Sequence, residues 1–108
     1  MSELSASEKA VRLLGLAAKA GKLVFGTDMV CESLRSKKRI LLVVESGDSS
    51  DNTHKKITDK CAYYGAKHLR LSADTETLGA ALGKMGGIAV VGVIDASFAS
   101  GIEKLMNE

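Results

Sequence analysis

The sequence predicts an α/β domain in which helices cover both faces of a single sheet. Two aliphatic runs, residues 40–44 and 88–94, have the length and composition of buried strands. Around them, segments with helical spacing alternate with strand-like segments in the order α-β-α-β-α-β-α-β-α. Such strict alternation with short connections favours one sheet of mostly parallel strands. The chain has 108 residues, 45% of them apolar, so we expect one domain that extends from residue 1 to residue 108.

Capping residues and glycines delimit the elements in the first half of the chain. Ser5 and Glu8 have the spacing of a capping box, which predicts that the first helix begins there and ends at Gly21. Residues 23–25 are apolar and too few for a helix, so we expect a short strand. A second helix should begin at Thr27 and end among the cations of residues 37–39, because positive charge complements the C-terminus of a helix.

The second half of the chain shows the same signals. Residues 45–52 have the composition of a loop that supplies the cap of a third helix, and Gly65 should end that helix. Polar and apolar residues alternate over residues 67–71, as in a strand with one exposed face. Residues 72–74 offer a cap for the fourth helix, and Asp95 is the expected cap of the last one.

The distribution of charge favours an anionic partner. The whole chain has a net charge of +2, but residues 9–70 contain 13 Lys and Arg against 6 Asp and Glu. A basic excess confined to one part of a chain favours nucleic acid, although a plain solvated surface is compatible with it too. No apolar run approaches the ~20 residues of a membrane span, and the N-terminus carries acids where a secretion signal would be basic. We therefore expect a cytoplasmic protein that does not contact membranes.

The sequence carries no pattern typical of catalysis or metal binding. Residues 79–84 look like a phosphate-binding loop at first, but only three residues separate their glycines, and Met85 stands where a Ser or Thr would hold magnesium. His54 and His68 each lack a second ligand within their own segment. We expect no enzymatic activity, no metal and no cofactor.

The thiols and the two tyrosines give little indication of function. Cys31 and Cys61 are isolated at apolar helical positions, so we expect buried, slowly reacting thiols. Tyr64 continues the apolar stripe of the third helix, and Tyr63 has no aromatic neighbour on its own face. We expect both to be packing residues rather than platforms on which bases stack.

Two glycine-marked loops remain as candidates for a site. Gly26 and Thr27 lead into the second helix, whose free N–H groups and positive dipole end can hold a phosphate. The second loop, residues 84–87, follows the fourth helix. Because loops on the same side of a parallel sheet converge, the two loops could form one surface. The alternative, that Gly26 and Thr27 merely start a helix packed on the sheet, stays open.

Three stretches resemble one family over nearly the whole chain. They are residues 13–26 (LLGLAAKAGKLVFG), residues 52–64 (NTHKKITDKCAYY), and residues 78–84, which precede an aliphatic strand. On these residues the chain resembles the bacterial YlxQ-type ribosomal-protein-like family, a branch of the L-seven-Ae superfamily of kink-turn RNA-binding proteins. The resemblance implies a three-layer α/β/α sandwich with a four-stranded mixed sheet, no catalysis, and RNA bound through residues 26–29 and 84–88.

The start of the second helix departs from the pattern of that superfamily. The usual sequence is Gly-Thr-Asn-Glu, with a Lys three residues after the Glu. Gly26 and Thr27 fit, whereas Asp28, Met29 and Glu32 replace the Asn, the Glu and the Lys. Asp28 can still accept hydrogen bonds from a guanine edge, Met29 can make none, and Glu32 would repel phosphate.

The function implied is that of a non-enzymatic RNA-binding protein for structured RNA, kink-turn-like or ribosomal, acting as a monomer. Met85 and Ile88 keep the apolar character with which this loop covers a flipped-out base in the superfamily. The expected contact residues are Lys22, Gly26, Thr27, Asp28, Met29, Lys37, Lys84, Met85, Gly86, Gly87 and Ile88. A protein-interaction module on the same scaffold is the alternative, and a small-molecule or nucleotide-binding regulator is a third hypothesis.

Overall fold

The computed structural model describes residues 5–37 and 39–107. Its elements are α1 (Ala6–Lys19), β1 (Leu23–Phe25), α2 (Thr27–Arg35), β2 (Leu42–Glu45), α3 (Asp51–Tyr64), β3 (His68–Arg70), α4 (Thr75–Ala81), β4 (Val90–Val93) and α5 (Ala96–Met106). The predicted order of helices and strands is confirmed. The acidic N-terminus, residue 108 and Lys38, which belonged to the expected end of α2, lie outside the described residues.

The predicted helix caps are confirmed by their hydrogen bonds. Ser5 and Glu8 form the reciprocal capping box of α1. Asp74 and Asp95 accept from the backbone N–H groups of Thr77 and Phe98, in the first turns of α4 and α5. Local sequence therefore determines where these helices begin, because each cap contacts a residue only three positions away.

The sheet has the strand order β1-β4-β2-β3 and is mixed. β2 and β3 are parallel, but β4 pairs antiparallel with both β1 and β2. The expectation of mostly parallel strands is thus wrong, and the mixed sheet implied by the family resemblance is confirmed. The cause lies in the short helix α4, because the chain folds back along it and re-enters the sheet from the edge at which β3 ended.

Two glycines allow the chain to fold back along α4. A Cβ atom on Gly79 would lie 2.4 Å from the Cα atom of Gly87, so neither the helix nor the returning loop has room for a side chain there. The N–H of Ile88 donates to the carbonyl oxygen of Thr75 at 3.0 Å, which returns the chain to the first turn of α4. β4 therefore starts at the edge where α4 starts and runs in the opposite direction to its neighbours.

The core has two parts, one on each face of the sheet. Helices α1, α4 and α5 cover one face, and α2 and α3 cover the other. Successive strand residues alternate between the faces, so that Val90 packs under α2 and α3 while Val91 packs on the opposite side. The arrangement is the three-layer α/β/α sandwich implied by the resemblance. Within the described residues, no helix combines the length and the apolar character needed to cross a bilayer.

The expectation of buried cysteines is confirmed in full for one of the two. Cys61 is 3% exposed on the inner face of α3, and burial raises the pKa of its thiol to about 11. Cys31 on α2 is half-buried, and burial, the largest influence, raises the pKa of its thiol as well. Both thiols are therefore protonated at neutral pH.

Candidate nucleic-acid interface

Three strands end, and β4 begins, at one edge of the sheet, which we call the site edge. β1, β2 and β3 end there, each followed by a helix, and β4 starts there because it is antiparallel. The N-termini of α2, α3 and α4 consequently lie along this edge, with the positive ends of their dipoles directed towards it.

The start of α2 is held open by a glycine. Gly26 has φ 92° and ψ 150°, a conformation essentially reserved for glycine, and its N–H donates to the carbonyl oxygen of Val90 at 2.9 Å. No side chain caps α2, whereas a Ser or Asp side chain caps each of the other four helices in the described chain. The backbone N–H groups of Thr27, Asp28 and Met29 are thereby left available to an external acceptor.

The second predicted loop, residues 84–88, is folded back on α4, and we call it the site loop. The N–H of Lys84 donates to the carbonyl oxygen of Gly79 at 2.8 Å. Gly86 and Gly87 have φ values of 83° and 89°, which side-chain-bearing residues rarely adopt. Met85 at the tip is fully exposed, so the loop presents one apolar side chain and one cation to solvent.

The structure brings the two loops together, as expected from their glycines. The ammonium group of Lys84 lies 4.1 Å from the centroid of the Phe25 ring, a cation–π contact. Phe25 is the last residue of β1 and immediately precedes Gly26. The start of α2 and the site loop are therefore adjacent at the site edge. Met29, 56% exposed, adds a second exposed methionine to this surface.

Two of the expected contact residues lie away from the site edge, and a third is buried. Lys22 precedes β1, and its backbone carbonyl oxygen accepts from the N–H of Ile94, which follows β4. Lys22 therefore lies at the opposite edge of the sheet, a strand length of ~10 Å from the site edge. Lys37 follows the nine residues of α2, ~13 Å from its start. Ile88 is 8% exposed and belongs to the core, so its side chain anchors the site loop instead of lying on the surface.

The two acidic residues of α2 are each paired with a cation. Asp28 accepts from the ammonium group of Lys56 on α3 at 3.3 Å. Glu32 binds Arg35 through two hydrogen bonds of 2.6 and 3.0 Å. The expected repulsion of phosphate by this helix face is therefore smaller than the two acids alone would produce, because a cation accompanies each of them.

A buried polar cluster lies at the end of β2, and the sequence reasoning missed it. Glu45 was expected in a loop, but it is the last residue of β2 and is 0% exposed. Its carboxylate contacts His54 Nδ1 at 2.9 Å and His68 Nε2 at 2.8 Å, accepts from the hydroxyl of Ser49, and lies 3.6 Å from Arg70. A glutamate directly after five aliphatic residues was the available signal, because a buried carboxylate requires several polar partners.

Hydrogen bonds keep the carboxyl group of Glu45 ionised. Burial is the largest single influence and raises its pKa, but the hydrogen bonds from Ser49, His54 and His68 together outweigh burial, so the pKa is lowered. The cluster is thus a satisfied polar core. Among residues 5–37 and 39–107 there is no group of three or more His, Cys, Asp or Glu side chains arranged to hold a metal ion.

A second set of hydrogen bonds links this region to the site loop. The N–H of Ser46 donates to the carbonyl oxygen of Ala89, directly after the site loop, at 2.8 Å, and the Ser46 hydroxyl lies 2.9 Å from that of Thr75. Asp48 accepts from both the N–H and the hydroxyl of Thr75, at 2.7 and 2.6 Å. These bonds lower the pKa of the Asp48 carboxyl group. The base of the site loop is therefore fixed, while Met85 at its tip is free to contact a partner.

The fold is that of a known family of proteins. The chain belongs to the ribosomal protein L7Ae/L30e/S12e/Gadd45 family, whose model matches residues 8–102. It is 40% identical to the RNA-binding protein YlxQ of Bacillus subtilis (strain 168) over 95 residues, which are 88% of this chain and 92% of that protein. It is 34% identical to the RNA-binding protein YlxQ of Enterococcus faecium over 99 residues, 92% of each chain. The resemblance drawn from the sequence is confirmed.

Solved structures agree with this assignment. A protein of unknown function from Bacillus halodurans C is 35% identical and superimposes with a TM-score of 0.84, over 93% of this chain and 98% of its own. The 15.5kD RNA binding protein of Giardia lamblia is only 15% identical, but it superimposes with a TM-score of 0.73 over 97% of this chain and 93% of its own. At that identity the similarity concerns the fold.

Proposed function

We propose that this chain is a non-enzymatic, monomeric, cytoplasmic protein that binds structured RNA, kink-turn-like or ribosomal, at the site edge. The observation that carries the proposal is the contact between Lys84 and Phe25, which joins the site loop to the uncapped start of α2. The two bacterial relatives described above are named as RNA-binding proteins, which supports the same function.

Each part of the surface suits a different group of the RNA. The free N–H groups at residues 27–29 and the ammonium of Lys84 suit phosphate oxygens. Asp28, exposed and within the first turn of α2, can accept from the N1 and N2 groups of a guanine. Met29 and Met85 offer exposed apolar surface to the faces of unstacked bases. The arrangement favours an RNA that displays both a distorted backbone and accessible bases.

The proposal is tested by titrating the protein with a kink-turn RNA and with an unkinked duplex of the same length at several salt concentrations. We expect the logarithm of the affinity to fall with the logarithm of salt, by roughly 0.7–0.9 for each phosphate neutralised. Asp28→Ala should lower the preference for the kink-turn by about 1–3 kcal/mol, the usual value of a base-edge contact. Absence of binding to either RNA at low salt would exclude the proposed function, and an unchanged preference would show that Asp28 reads no base.

Lys9→Ala provides the matched control for these titrations. Lys9 is exposed on α1, a helix that contributes none of the proposed contact residues. Lys9→Ala removes one positive charge, as Lys84→Ala in the site loop would, but at a position outside the proposed contacts. It should therefore leave both the affinity for RNA and its salt dependence unchanged. A salt dependence that Lys9→Ala lowers as much as Lys84→Ala does would indicate nonspecific attraction by net charge.

A further inference from the structure

Tyr63 is an exposed aromatic residue, contrary to the expectation that it packs inside. Its side chain is 81% exposed, whereas Tyr64 is half-buried against the α2–α3 part of the core. The two rings meet edge to face, with centroids 4.8 Å apart and an interplanar angle of 86°. This contact holds the Tyr63 ring in a defined orientation and leaves a face of it open to solvent.

Tyr63 ends a strip of residues on α3 that begins beside the proposed RNA site. Lys56, Lys60 and Tyr63 follow one another at spacings of four and three residues, so they share one helix face. We call these three residues the α3 strip. With Asp59 and Tyr64 they line a shallow concavity. The strip spans eight residues, and its two ends are ~10 Å apart along the helix axis.

The α3 strip is continuous with the start of α2. Lys56 contacts Asp28 at 3.3 Å, and Asp28 lies in the first turn of α2. Lys60 is one turn further from the site edge. Both lysines lie near Cys31 of α2. Burial, the largest influence, raises the pKa of the Cys31 thiol, and the positive charges of Lys56 and Lys60 act in the opposite direction. The strip therefore follows the line along which α2 and α3 pack, from the site edge outwards.

The chemistry of the strip favours RNA over a protein partner. The centres of protein interfaces are depleted in Lys, whereas surfaces that bind single-stranded nucleic acid combine lysines with aromatic rings on which bases stack. Lys56 and Lys60 are also like charges at i and i+4, and the pairing of Lys56 with Asp28 offsets only part of their mild repulsion in the free protein. An RNA backbone would relieve that repulsion, because its phosphates carry the opposite charge.

We propose that the α3 strip is a second RNA contact, which holds a single-stranded segment leaving the site edge. In this arrangement Lys56 and Lys60 contact phosphates and Tyr63 stacks on a base. This inference rests on the proposed function, since it extends the same bound RNA beyond the start of α2.

The test compares a blunt kink-turn RNA with the same RNA carrying a five-nucleotide uridine tail at its 5′ or its 3′ end. Wild-type protein should bind one tailed RNA about tenfold more tightly than the blunt RNA, within the range for stacking one base on an aromatic ring. Tyr63→Ala should abolish this gain and leave the blunt RNA bound as before. Tyr63→Phe, which keeps the ring, should retain the gain, and Lys60→Ala should reduce the salt slope for the tailed RNA by roughly 0.7.

The outcomes separate this inference from the proposed function. Binding of the blunt RNA with no gain from either tail would overturn the α3 strip as an RNA contact while leaving the site edge intact. A gain in affinity that survives Tyr63→Ala would overturn this assignment as well, because the tail would then bind somewhere other than Tyr63. Either result would leave the strip to another occupant, such as a protein partner. Failure to bind any of the three RNAs would instead reject the proposed function. Tyr63 is largely exposed, so Tyr63→Ala should fold normally, which circular dichroism would verify.

Discussion

Gly26→Ala should weaken both the stability of the protein and its affinity for RNA. A Cβ atom at this position would meet no atom within 4 Å, so the whole effect arises from the backbone. Residues other than glycine pay about 1–3 kcal/mol at φ 92° and ψ 150°. The lower entropy of the unfolded alanine variant offsets about 0.4–1 kcal/mol of this cost. A net loss of about 1–2 kcal/mol corresponds to a melting temperature lower by roughly 4–8 °C for a chain of this length.

The affinity should fall because relief of the strain moves the free N–H groups at the start of α2. Loss of one hydrogen bond to a phosphate would weaken binding about tenfold or more. Thermal melts followed by circular dichroism would give the stability. Fluorescence polarisation with a labelled kink-turn RNA, at a temperature where every variant is folded, would give the affinity.

Gly65→Ala is the matched control for this substitution. Gly65 ends α3, away from the site edge, with φ 70° and ψ 28°, and a Cβ atom there would also meet nothing within 4 Å. Its left-handed conformation costs alanine about 1–2 kcal/mol, so the stability should fall by a comparable amount while RNA affinity stays unchanged. Two results would contradict this prediction: a Gly26→Ala variant as stable as the wild type, or a Gly65→Ala variant that weakens RNA binding as much as Gly26→Ala does.

Three other substitutions probe the loop, the acidic residue and the buried cluster. Lys84→Ala should lower the salt slope of RNA binding by roughly 0.7–0.9, because one phosphate contact is lost. It should also reduce the stability by about 0.5–1 kcal/mol, because the contact with Phe25 is lost. Unchanged affinity at low salt would exclude the site loop from the interface. Glu32→Lys adds one cation and releases Arg35, so binding to kink-turn and duplex RNA should tighten and the salt slope should steepen; no change with either RNA would mean that this helix face does not approach the backbone. Glu45→Gln should cost about 1–3 kcal/mol at neutral pH. Because the native pKa of Glu45 is lowered, its ionised form stabilises the fold above the ordinary pKa of glutamate, and this stabilisation is lost as the pH falls through the native pKa. Urea titrations at several pH values would contradict this if the free energies of unfolding of the wild type and Glu45→Gln differed by the same amount at every pH.

The sequence alone determined the features that depend on neighbours within one helical turn. The capping box of Ser5 and Glu8, the caps at Asp74 and Asp95, and the left-handed Gly65 each involve contacts of three or four residues along the chain. A local hydrogen bond or a local backbone conformation can be recognised from residue type and spacing, so the order of elements was predicted correctly.

Within the site, the sequence identified the two glycine-marked loops but not all of the side chains that reach the site edge. Gly26 and Gly87 could be recognised because positive φ angles require glycine. Lys22 and Lys37 were included because they lie near these loops in the sequence, but a strand and a helix extend the chain away from the edge. Charge and sequence proximity alone could not indicate at which end of an element a lysine projects.

Only the tertiary structure decided the features that join residues far apart in the sequence. The position of β4 between β1 and β2, the burial of Glu45 between two histidines, and the contact of Lys84 with Phe25 all depend on how the layers pack. The exposure of Tyr63 also depends on packing, because α2 covers only one side of α3. Long-range pairing is set by the burial of apolar surface over the whole domain, a sum over many weak contacts that no local pattern of residues records.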